Sequence, residues 1–439
     1  MASSNIANGC IPKGRWLHII PPTIIVYIVA YMDRMNIGFA MAGGMNEALG
    51  ISMTVSGLAA GIFFFGYMIL QIPGGHIAEH GSAKKFIMWT IVAWGGLSTL
   101  TGFVQNEWQL LTMRFLLGVA EGGLWPAILV IIGNWFPEKE VGRANALFMS
   151  NLAISAIITN PLSGWVITHF DWHGVFIVEG LISIGLLFIW LPLISDRPEE
   201  AKWISKEEKE YLIETLRRER EIHQNNQCHA PVSYKDLLVN RDSWMLTAIY
   251  FCYATGQYGF LLWLPTIVKN LTKMGMTNVG FLTAVPYLAG LIGLYIFAML
   301  SDRSLNRRFY TSITQFGFGI CFLLSTLFPE HIWVSYGLLV LTGVFTKAVS
   351  SNFWTMPALL FPPGIAGGAR GIINAIGNLG GFFGPVMVGW LTTLFGMTFG
   401  IYCLVFFLLL GGILTMFLPD VTAGKVEYSE VSAKPAHNR

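Results

Sequence analysis

The sequence predicts an all-α integral membrane protein whose twelve transmembrane helices form two bundles of six. The first reason is composition: 54% of the 439 residues are hydrophobic and 12% are charged, about half the charged fraction of a soluble domain. The second is clustering, because residues 196–242 hold 20 of the 52 charged side chains. The third is a succession of apolar runs of about 20 residues, the length that crosses a bilayer as a helix.

Twelve apolar runs are predicted to be membrane spans, numbered one to twelve in chain order. They lie near residues 17–38, 53–74, 84–104, 109–136, 145–168, 174–194, 244–268, 278–300, 310–328, 332–350, 370–392 and 397–418. Each must be helical, since lipid offers the backbone no hydrogen-bonding partners. A polar stretch without a cleavage site precedes the first run, so we expect span one to be retained and not removed as a signal peptide.

Basic residues in the predicted loops set the expected orientation. They occupy alternate loops, at Lys13, Arg15, Lys84, Lys85, Lys139, Arg143, Arg303, Arg307, Arg308, Arg370 and Lys425. By the positive-inside rule, these loops are cytoplasmic. Both termini are then cytoplasmic as well, and the protein is expected in a plasma membrane.

The central charged segment divides the chain. We expect an N-terminal bundle over residues 1–195, a cytoplasmic linker over 196–242, and a C-terminal bundle with a short tail over 243–439. Residues 205–221 open with a serine cap and carry opposite charges four residues apart, which favours a surface helix. That helix is either a regulatory or docking element or a solvated linker that orients the two bundles.

Four ionisable side chains within the spans indicate function: Asp33 and Arg34 in span one, and Arg114 and Glu121 in span four. Each costs at least about 2.5–3.5 kcal/mol at the bilayer centre on insertion scales. Asp33 and Arg34 are about 100° apart around their helix, so one is expected to face a cavity and the other a neighbouring helix. Arg114 and Glu121 are two turns apart and share a face.

The chemistry of these four groups suits the transport of an anion. An arginine can hold a carboxylate through two parallel hydrogen bonds, and a carboxylate shielded from water can bind and release a proton. The four groups therefore predict transport of a small organic anion together with a proton; the resemblance described below implies uptake by alternating access. A purely structural role, with Asp33 paired to Arg34 and Arg114 to Glu121, is the alternative. An anion uniporter, antiporter or exporter also stays open.

Other classes of function lack their sequence features. No GxxxxGK[ST] loop, and no HExxH or GxSxG motif in a span, is present, which argues against an ATP-driven pump and against an enzyme. A net charge of +2 indicates no nucleic-acid partner. The five cysteines have no ligand spacing, so neither a metal site nor a cofactor is expected, apart from the proton as coupling ion.

The turns after spans two and eight share a pattern of small, acidic and basic residues. They resemble the loop signature G-x-x-x-D-R-x-G-R-[RK] of the major facilitator superfamily, with Glu79 and His80 replacing the Asp and Arg in the first turn. The resemblance implies two six-helix halves in parallel repeat. It also implies a conformational latch of ion pairs, to which Glu79, Asp302 and Arg303 would belong. We expect the protein to work as a monomer.

Four stretches resemble one branch of that superfamily, the anion:cation symporter family, at residues 31–38, 66–75, 114–122 and 172–180. Its bacterial members, such as the galactonate, tartrate, rhamnonate and hydroxyphenylacetate permeases, import sugar acids or aromatic acids. The resemblance therefore implies a bacterial inner-membrane importer of a small carboxylate.

The same resemblance implies roles for individual residues. Arg34 would hold the substrate carboxylate together with the hydroxyl of Tyr67. Asp33 and Glu121 would couple proton movement to transport. Two further members of these stretches, Tyr31 and Arg114, complete the expected substrate contacts of the first half.

Polar, uncharged residues supply the candidates in the second half. Gln257 in span seven, Trp354 at the end of span ten and Asn374 in span eleven are expected to contact the substrate, although such side chains also bridge helices by hydrogen bonds. Lys347 in span ten departs from the family pattern. It could pair with a second substrate carboxylate, or its chain could extend to the cytoplasmic boundary of the membrane.

Overall fold

The computed structural model describes residues 13–226, 240–361 and 363–419, and within them all regular structure is helical. The helices form the twelve expected spans, with short breaks inside spans four, five, six and eleven. In chain order they run Gly14–Ala42, Met53–His80, Ala83–Thr101, Glu107–Gly122 with Leu124–Trp135, Glu138–Met149 with the first part of Asn151–Gly185, the second part of that helix with Leu187–Leu193, Arg241–Thr272, Met276–Ser304, Arg307–Ser325, Ile332–Phe353, Pro363–Gly377 with Leu379–Phe395, and Met397–Met416.

Length and composition alone identify eight stretches of the described chain that could cross a membrane. One of them, Glu138–Leu193, has 56 residues and contains both span five and span six. The chain turns between them at Asp171, whose φ of 55° is left-handed. Its side chain accepts a hydrogen bond from the backbone N–H of His173 at 2.8 Å. Aspartate tolerates this conformation because its side chain closes such local turns.

The two ends of the bundle can be told apart by the segments that they carry. We call the end next to residues 196–240 the linker side and the opposite end the far side. On the far side, glycines bring the halves into backbone contact. A Cβ on Gly57 of span two would lie 2.4 Å from the carbonyl oxygen of Pro385 in span eleven. A Cβ on Gly164 of span five would lie 2.5 Å from that of Met276 in span eight.

Hydrogen bonds join the halves in the same region. They connect Thr54 with Thr393 at 2.9 Å, Thr168 with Thr277 at 2.8 Å, and the amino group of Lys269 with the carbonyl of Ala42 at 2.6 Å. All three lie at the far ends of the spans that they connect. The structure is therefore a conformation that is closed on the far side.

The linker begins as a helix, Lys206–Asn226, that is anchored to the first half. Ser205 caps it by accepting a hydrogen bond from the backbone N–H of Glu208 at 3.2 Å. The Glu208 carboxylate is buried and binds the Arg15 guanidinium at 2.6 Å, while Arg15 also binds Glu140 at 2.7 Å. The first turn of this helix is thus docked against the starts of spans one and five.

The remainder of the linker helix has one face toward water, while Leu212 and Leu216 on its other face are buried. Arg218 donates a hydrogen bond to Glu214 at 2.7 Å, which holds the pKa of that carboxyl below its usual range. Both side chains are exposed, so this pair contributes little to stability. The helix therefore has one face docked against the first half and one solvated face. Its role, as a regulatory or docking element or as a linker that orients the two bundles, stays a prediction.

Candidate binding site between the halves

Arg34 lies in span one and faces spans two and four. One of its terminal nitrogens donates to the Glu121 carboxylate at 3.2 Å, and both side chains are buried. Its guanidinium carbon lies 4.8 Å from the ring centre of Tyr67 and 5.2 Å from that of Phe63. Aromatic faces stabilise a cation that is removed from water. Spans one, two and four therefore build a site for one guanidinium group.

The Arg34–Glu121 pair leaves hydrogen-bonding capacity unused. Within the described residues, Arg34 Nε and Glu121 Oε1 are buried and have no hydrogen-bonding partner. Buried polar atoms nearly always have a hydrogen-bonding partner. The two unpaired atoms therefore indicate that Arg34 can exchange Glu121 for another partner. A guanidinium held by one bond to Glu121 keeps N–H groups that could bind a second carboxylate.

Asp33 points into the interior of the first half. It accepts hydrogen bonds from the hydroxyls of Ser98 in span three and Ser183 in span six, the latter at 2.5 Å. The side-chain amide of Asn36 donates to it at 3.4 Å. Asp33 and Arg34 thus diverge around their helix, as their adjacency requires. The alternative that pairs these two residues with each other is wrong for this conformation, because Arg34 is bound to span four.

Arg114 is fully buried, and its guanidinium donates hydrogen bonds to backbone carbonyls. It donates to the carbonyl oxygens of Ala59 at 3.3 Å, Asp33 at 3.2 Å and Arg34 at 3.4 Å. These bonds connect span four to spans one and two. The pairing of Arg114 with Glu121, offered as the structural alternative, is replaced by this arrangement. Because each of its three nitrogens donates to a backbone carbonyl of span one or two, the geometry places Arg114 as a positioning residue for span one.

An aromatic wall of the second half stands opposite Arg34. The Tyr258 hydroxyl approaches the Arg34 guanidinium, and the Tyr258 ring centre lies 4.4 Å from that of Phe64 in span two. Tyr31, which is buried one turn before Arg34, lies in the electrostatic reach of the same tyrosine. The structure thus brings Tyr258 to Arg34, and not its neighbour Gln257, although both are polar candidates of span seven. The two point about 100° apart, so only one of them can face the arginine.

The other predicted residues of the second half lie nearer the linker side. Trp354 is half-buried, and its ring centre lies 4.9 Å from that of Tyr250. Asn374 is half-buried and accepts a hydrogen bond from Asn378, one turn later, at 3.0 Å. That bond occupies the Asn374 carbonyl but leaves its N–H groups available. Gln257 is half-buried as well.

The predicted latch residues are all exposed on the linker side. Asp302 binds Arg307 of its own half at 2.5 Å. Within the described chain, neither Glu79 nor Arg303 takes part in an ion pair with the other half. The structure is closed on the far side, so a latch on the linker side would be released in it. The latch therefore stays a prediction.

Sequence reasoning missed a further buried acid. Glu179 of span six is completely buried and accepts a hydrogen bond from Ser163 of span five at 2.6 Å, while its second oxygen has no partner in the described ranges. Asn36 contacts this carboxyl and also donates to Asp33. The insertion-cost argument applied to Asp33 would have found Glu179 too. Among the described residues, no group of three potential ligands could hold a metal ion.

Comparisons with known proteins give a consistent result. The sequence profile of the Major Facilitator Superfamily matches residues 23–278 and 246–437. A candidate tartrate transporter of Agrobacterium vitis is 32% identical over 421 residues, covering 93% of this chain and 91% of that protein. A quinolone resistance transporter of Acinetobacter baumannii is 32% identical over 409 residues, covering 90% and 92%.

Solved structures share the fold. A bacterial homolog of the human lysosomal transporter Spinster, in an inward-facing and unoccupied conformation, matches with a TM-score of 0.76 and 14% identity. The match covers 92% of this chain and 97% of that one.

Proposed function

This chain belongs to the major facilitator superfamily, and on that premise we propose that it imports a small hydroxylated carboxylate together with protons. It is a membrane transporter and not an enzyme. The observation that carries the proposal is the buried Arg34, whose single bond to Glu121 leaves Nε without a partner among the described residues. The similarity to a candidate tartrate transporter supports a carboxylate as substrate.

Competition between Glu121 and the substrate for Arg34 would couple proton movement to substrate movement. While Glu121 is ionised, it holds the guanidinium at 3.2 Å. Protonation removes its charge, so the guanidinium becomes free to bind a substrate carboxylate with two parallel bonds. Because binding energies are reciprocal, a substrate that takes Arg34 also favours the proton on Glu121. Substrate and proton would therefore bind together and leave together.

Asp33 is proposed as the second proton-carrying group. Its carboxylate organises hydrogen bonds from spans three and six, so a change in its charge would alter how these spans hold span one. It lies beside Arg34 in sequence but on the opposite face, so it would act on the position of Arg34 and not on the substrate itself.

The proposed orientation places both ends of the described chain, and the linker, in the bacterial cytoplasm. The described residues Lys84, Lys85, Arg143, Arg307 and Arg308 lie on that side, as the positive-inside rule requires. Lys425 falls outside the described residues. With this orientation, the far side is periplasmic, and the structure corresponds to the state that faces the cytoplasm.

Uptake into proteoliposomes tests the proposal. Purified protein is reconstituted, an inward proton gradient is imposed, and accumulation of radiolabelled tartrate, galactonate and an aromatic acid is followed. We expect accumulation that a protonophore abolishes and that Arg34→Ala lowers to background, while Arg218→Ala on the exposed linker surface behaves as wild type. Transport of none of these acids, or unchanged transport by Arg34→Ala, would overturn it.

Export is the second candidate, and the similarity to a quinolone resistance transporter favours it. An exporter would exchange its substrate for protons. In the same vesicles, an inward proton gradient would then drive loss of preloaded substrate instead of accumulation. The direction of net movement under one imposed gradient therefore separates the two.

A further inference from the structure

Lys347 is a cation inside span ten that the proposed coupling does not use. Among the residues that the structure describes, no acid forms an ion pair with it. An unpaired cation at membrane depth costs at least about 2.5–3.5 kcal/mol on insertion scales. Such residues usually serve a ligand or a neighbouring charge.

The direction of the Lys347 side chain can be read from its neighbour in span eight. A Cβ on Gly290 would lie 3.0 Å from the carbonyl oxygen of Gly343 and 3.7 Å from Lys347 Cγ. The Lys347 stem and the Gly343 carbonyl therefore both pack against Gly290. Helical side chains lean toward the start of their helix, and span ten begins on the far side, at Ile332. The chain thus leads toward the membrane centre and away from the linker-side boundary.

This direction argues against the boundary interpretation from sequence. A lysine that extends to the nearer boundary would have its stem along the last turn of span ten, on the linker side. The stem instead packs over Gly290, in the middle of Met276–Ser304. Of the two alternatives that the sequence left open, the second substrate carboxylate is the one that the geometry favours.

Lys347 also shares a face with Trp354, which lies two turns later. On the surface of span ten, that face lies between the part that contacts span seven and the part that contacts span eight. Thr346 accepts a hydrogen bond from the Tyr253 hydroxyl of span seven at 2.8 Å, and Gly343 packs on Pro286 of span eight.

Spans seven and eight both meet the first half, as span eleven also does. A Cβ on Gly38 of span one would lie 2.5 Å from Leu262 O in span seven, and one on Gly164 of span five would lie 2.5 Å from Met276 O in span eight. A side chain directed between spans seven and eight is therefore directed at the first half, which carries Arg34.

We infer that Lys347 binds the second anionic group of a dianionic substrate whose first carboxylate is held by Arg34. The inference rests on the proposed function, because it takes the Arg34 site as given. In span seven, Tyr253 lies at the depth of Lys347 in the membrane, and Tyr258 lies at the depth of Arg34. The two tyrosines are five residues apart. At 1.5 Å per residue the two levels are about 7 Å apart along the membrane normal. An extended dicarboxylate lying along the normal fits between them.

The matched ligands for a test differ at one end only. Tartrate and threonate have the same four-carbon hydroxylated chain, but threonate carries a hydroxymethyl group in place of the second carboxylate. Galactarate and galactonate are the corresponding six-carbon pair. The quantity to measure is the ratio of the inhibition constants of each pair against uptake of one labelled acid in proteoliposomes.

Three variants complete the design: Lys347→Met, Lys347→Gln and Lys347→Arg. We expect wild-type protein to prefer the diacid of at least one pair, and Lys347→Met and Lys347→Gln to lower that preference at least about tenfold, the scale of a charge-assisted hydrogen bond. Lys347→Arg keeps the charge and should keep most of the preference. Gln retains polarity and chain length, so it decides the matter if the Met variant does not fold.

The outcomes separate this inference from the function on which it rests. If wild-type protein carries neither member of either pair, the proposed function itself falls. If it carries them but the diacid preference is absent, or survives in both Lys347→Met and Lys347→Gln, only the role of Lys347 is overturned.

Discussion

The two halves of the transporter carry their polar side chains in different ways. Spans one to six hold a connected set of buried ionisable groups: Asp33, Arg34, Arg114, Glu121 and Glu179. In spans seven to twelve, the described polar side chains at membrane depth are neutral apart from Lys347. Equivalent folds are thus unequally equipped: one half holds buried ionisable groups, whereas the other presents tyrosine, tryptophan and amide groups.

Within the first half, the arginines of spans one and four also differ in their hydrogen-bonding partners. Arg34 is held by the side chains of Glu121 and Tyr258 and keeps a buried nitrogen without a partner among the described residues, whereas each nitrogen of Arg114 donates to a backbone carbonyl. Two cations on neighbouring helices therefore have separate tasks, one available for exchange and one fixed in the packing. The following experiments test both contrasts, from the largest expected effect to the smallest.

Arg34→Met and Arg114→Met should fail in different ways. We expect Arg34→Met to lose transport at least about hundredfold while its Tm stays close to wild type, because protonation can neutralise the Glu121 left behind. Arg114→Met removes three buried hydrogen bonds from a charged donor, each worth about 1.5–3 kcal/mol, so its Tm should fall. Uptake and fluorescence-monitored thermal unfolding measure the two effects. An equal loss of Tm in both variants would contradict the contrast.

Glu121→Gln should separate coupling from transport. An amide cannot exchange a proton, so accumulation driven by a proton gradient should disappear and its pH dependence should flatten. Exchange of internal for external substrate needs no net proton movement and should persist. The control is Glu47→Gln, an exposed acid on the far side. Gradient-driven accumulation by Glu121→Gln would remove Glu121 from the coupling.

Gly57→Val should impair the conformational cycle. The first added carbon would lie 2.4 Å from the Pro385 carbonyl oxygen, so the far side could no longer close as in this structure. We expect uptake to fall at least about tenfold while the Arg34 site still binds substrate. Gly133→Val is the matched control, because nothing lies within 4 Å of a Cβ there. Similar uptake by the two variants would show that this contact does not limit transport.

Asn374→Ala should produce the smallest of these effects. Loss of a neutral hydrogen bond is worth about 0.5–1.5 kcal/mol, which corresponds to a KM roughly three- to tenfold higher. The change should be larger for hydroxylated acids than for those without hydroxyls, and coupling should be unaffected. A loss as complete as that of Arg34→Met would show that the second half does more than select the substrate.

Much of the fold could be predicted from sequence, and the twelve spans and the superfamily are confirmed. The prediction worked because the cost of exposing backbone in lipid is a local property of each run of residues. Spans five and six still needed the structure, since they form one helical stretch that is divided by the left-handed Asp171. The domain boundaries and the latch of Glu79, Asp302 and Arg303 stay predictions.

The site was predicted less completely. Arg34 and Tyr67 come together as expected, but the bond of Glu121 to Arg34 was not predicted, since Glu121 was expected beside Arg114. Which of the neighbours Gln257 and Tyr258 faces Arg34 needed the structure, because one residue along a helix turns a side chain through about 100°. The docking of the linker through Arg15 and Glu208 was not foreseen, since its partners are 193 residues apart in the chain.

The sequence by itself determined which side chains had to be explained, because the price of an ionisable group in lipid is set by its depth in an apolar run. Only the tertiary structure decided what each one binds. In the structure, Glu121 binds Arg34, 87 residues away in the chain, and Arg114 binds backbone carbonyls. The Lys347 side chain is directed toward the membrane centre. Periodicity specifies the face of a helix that a residue occupies, but the partner on that face depends on which helix packs there and at what height.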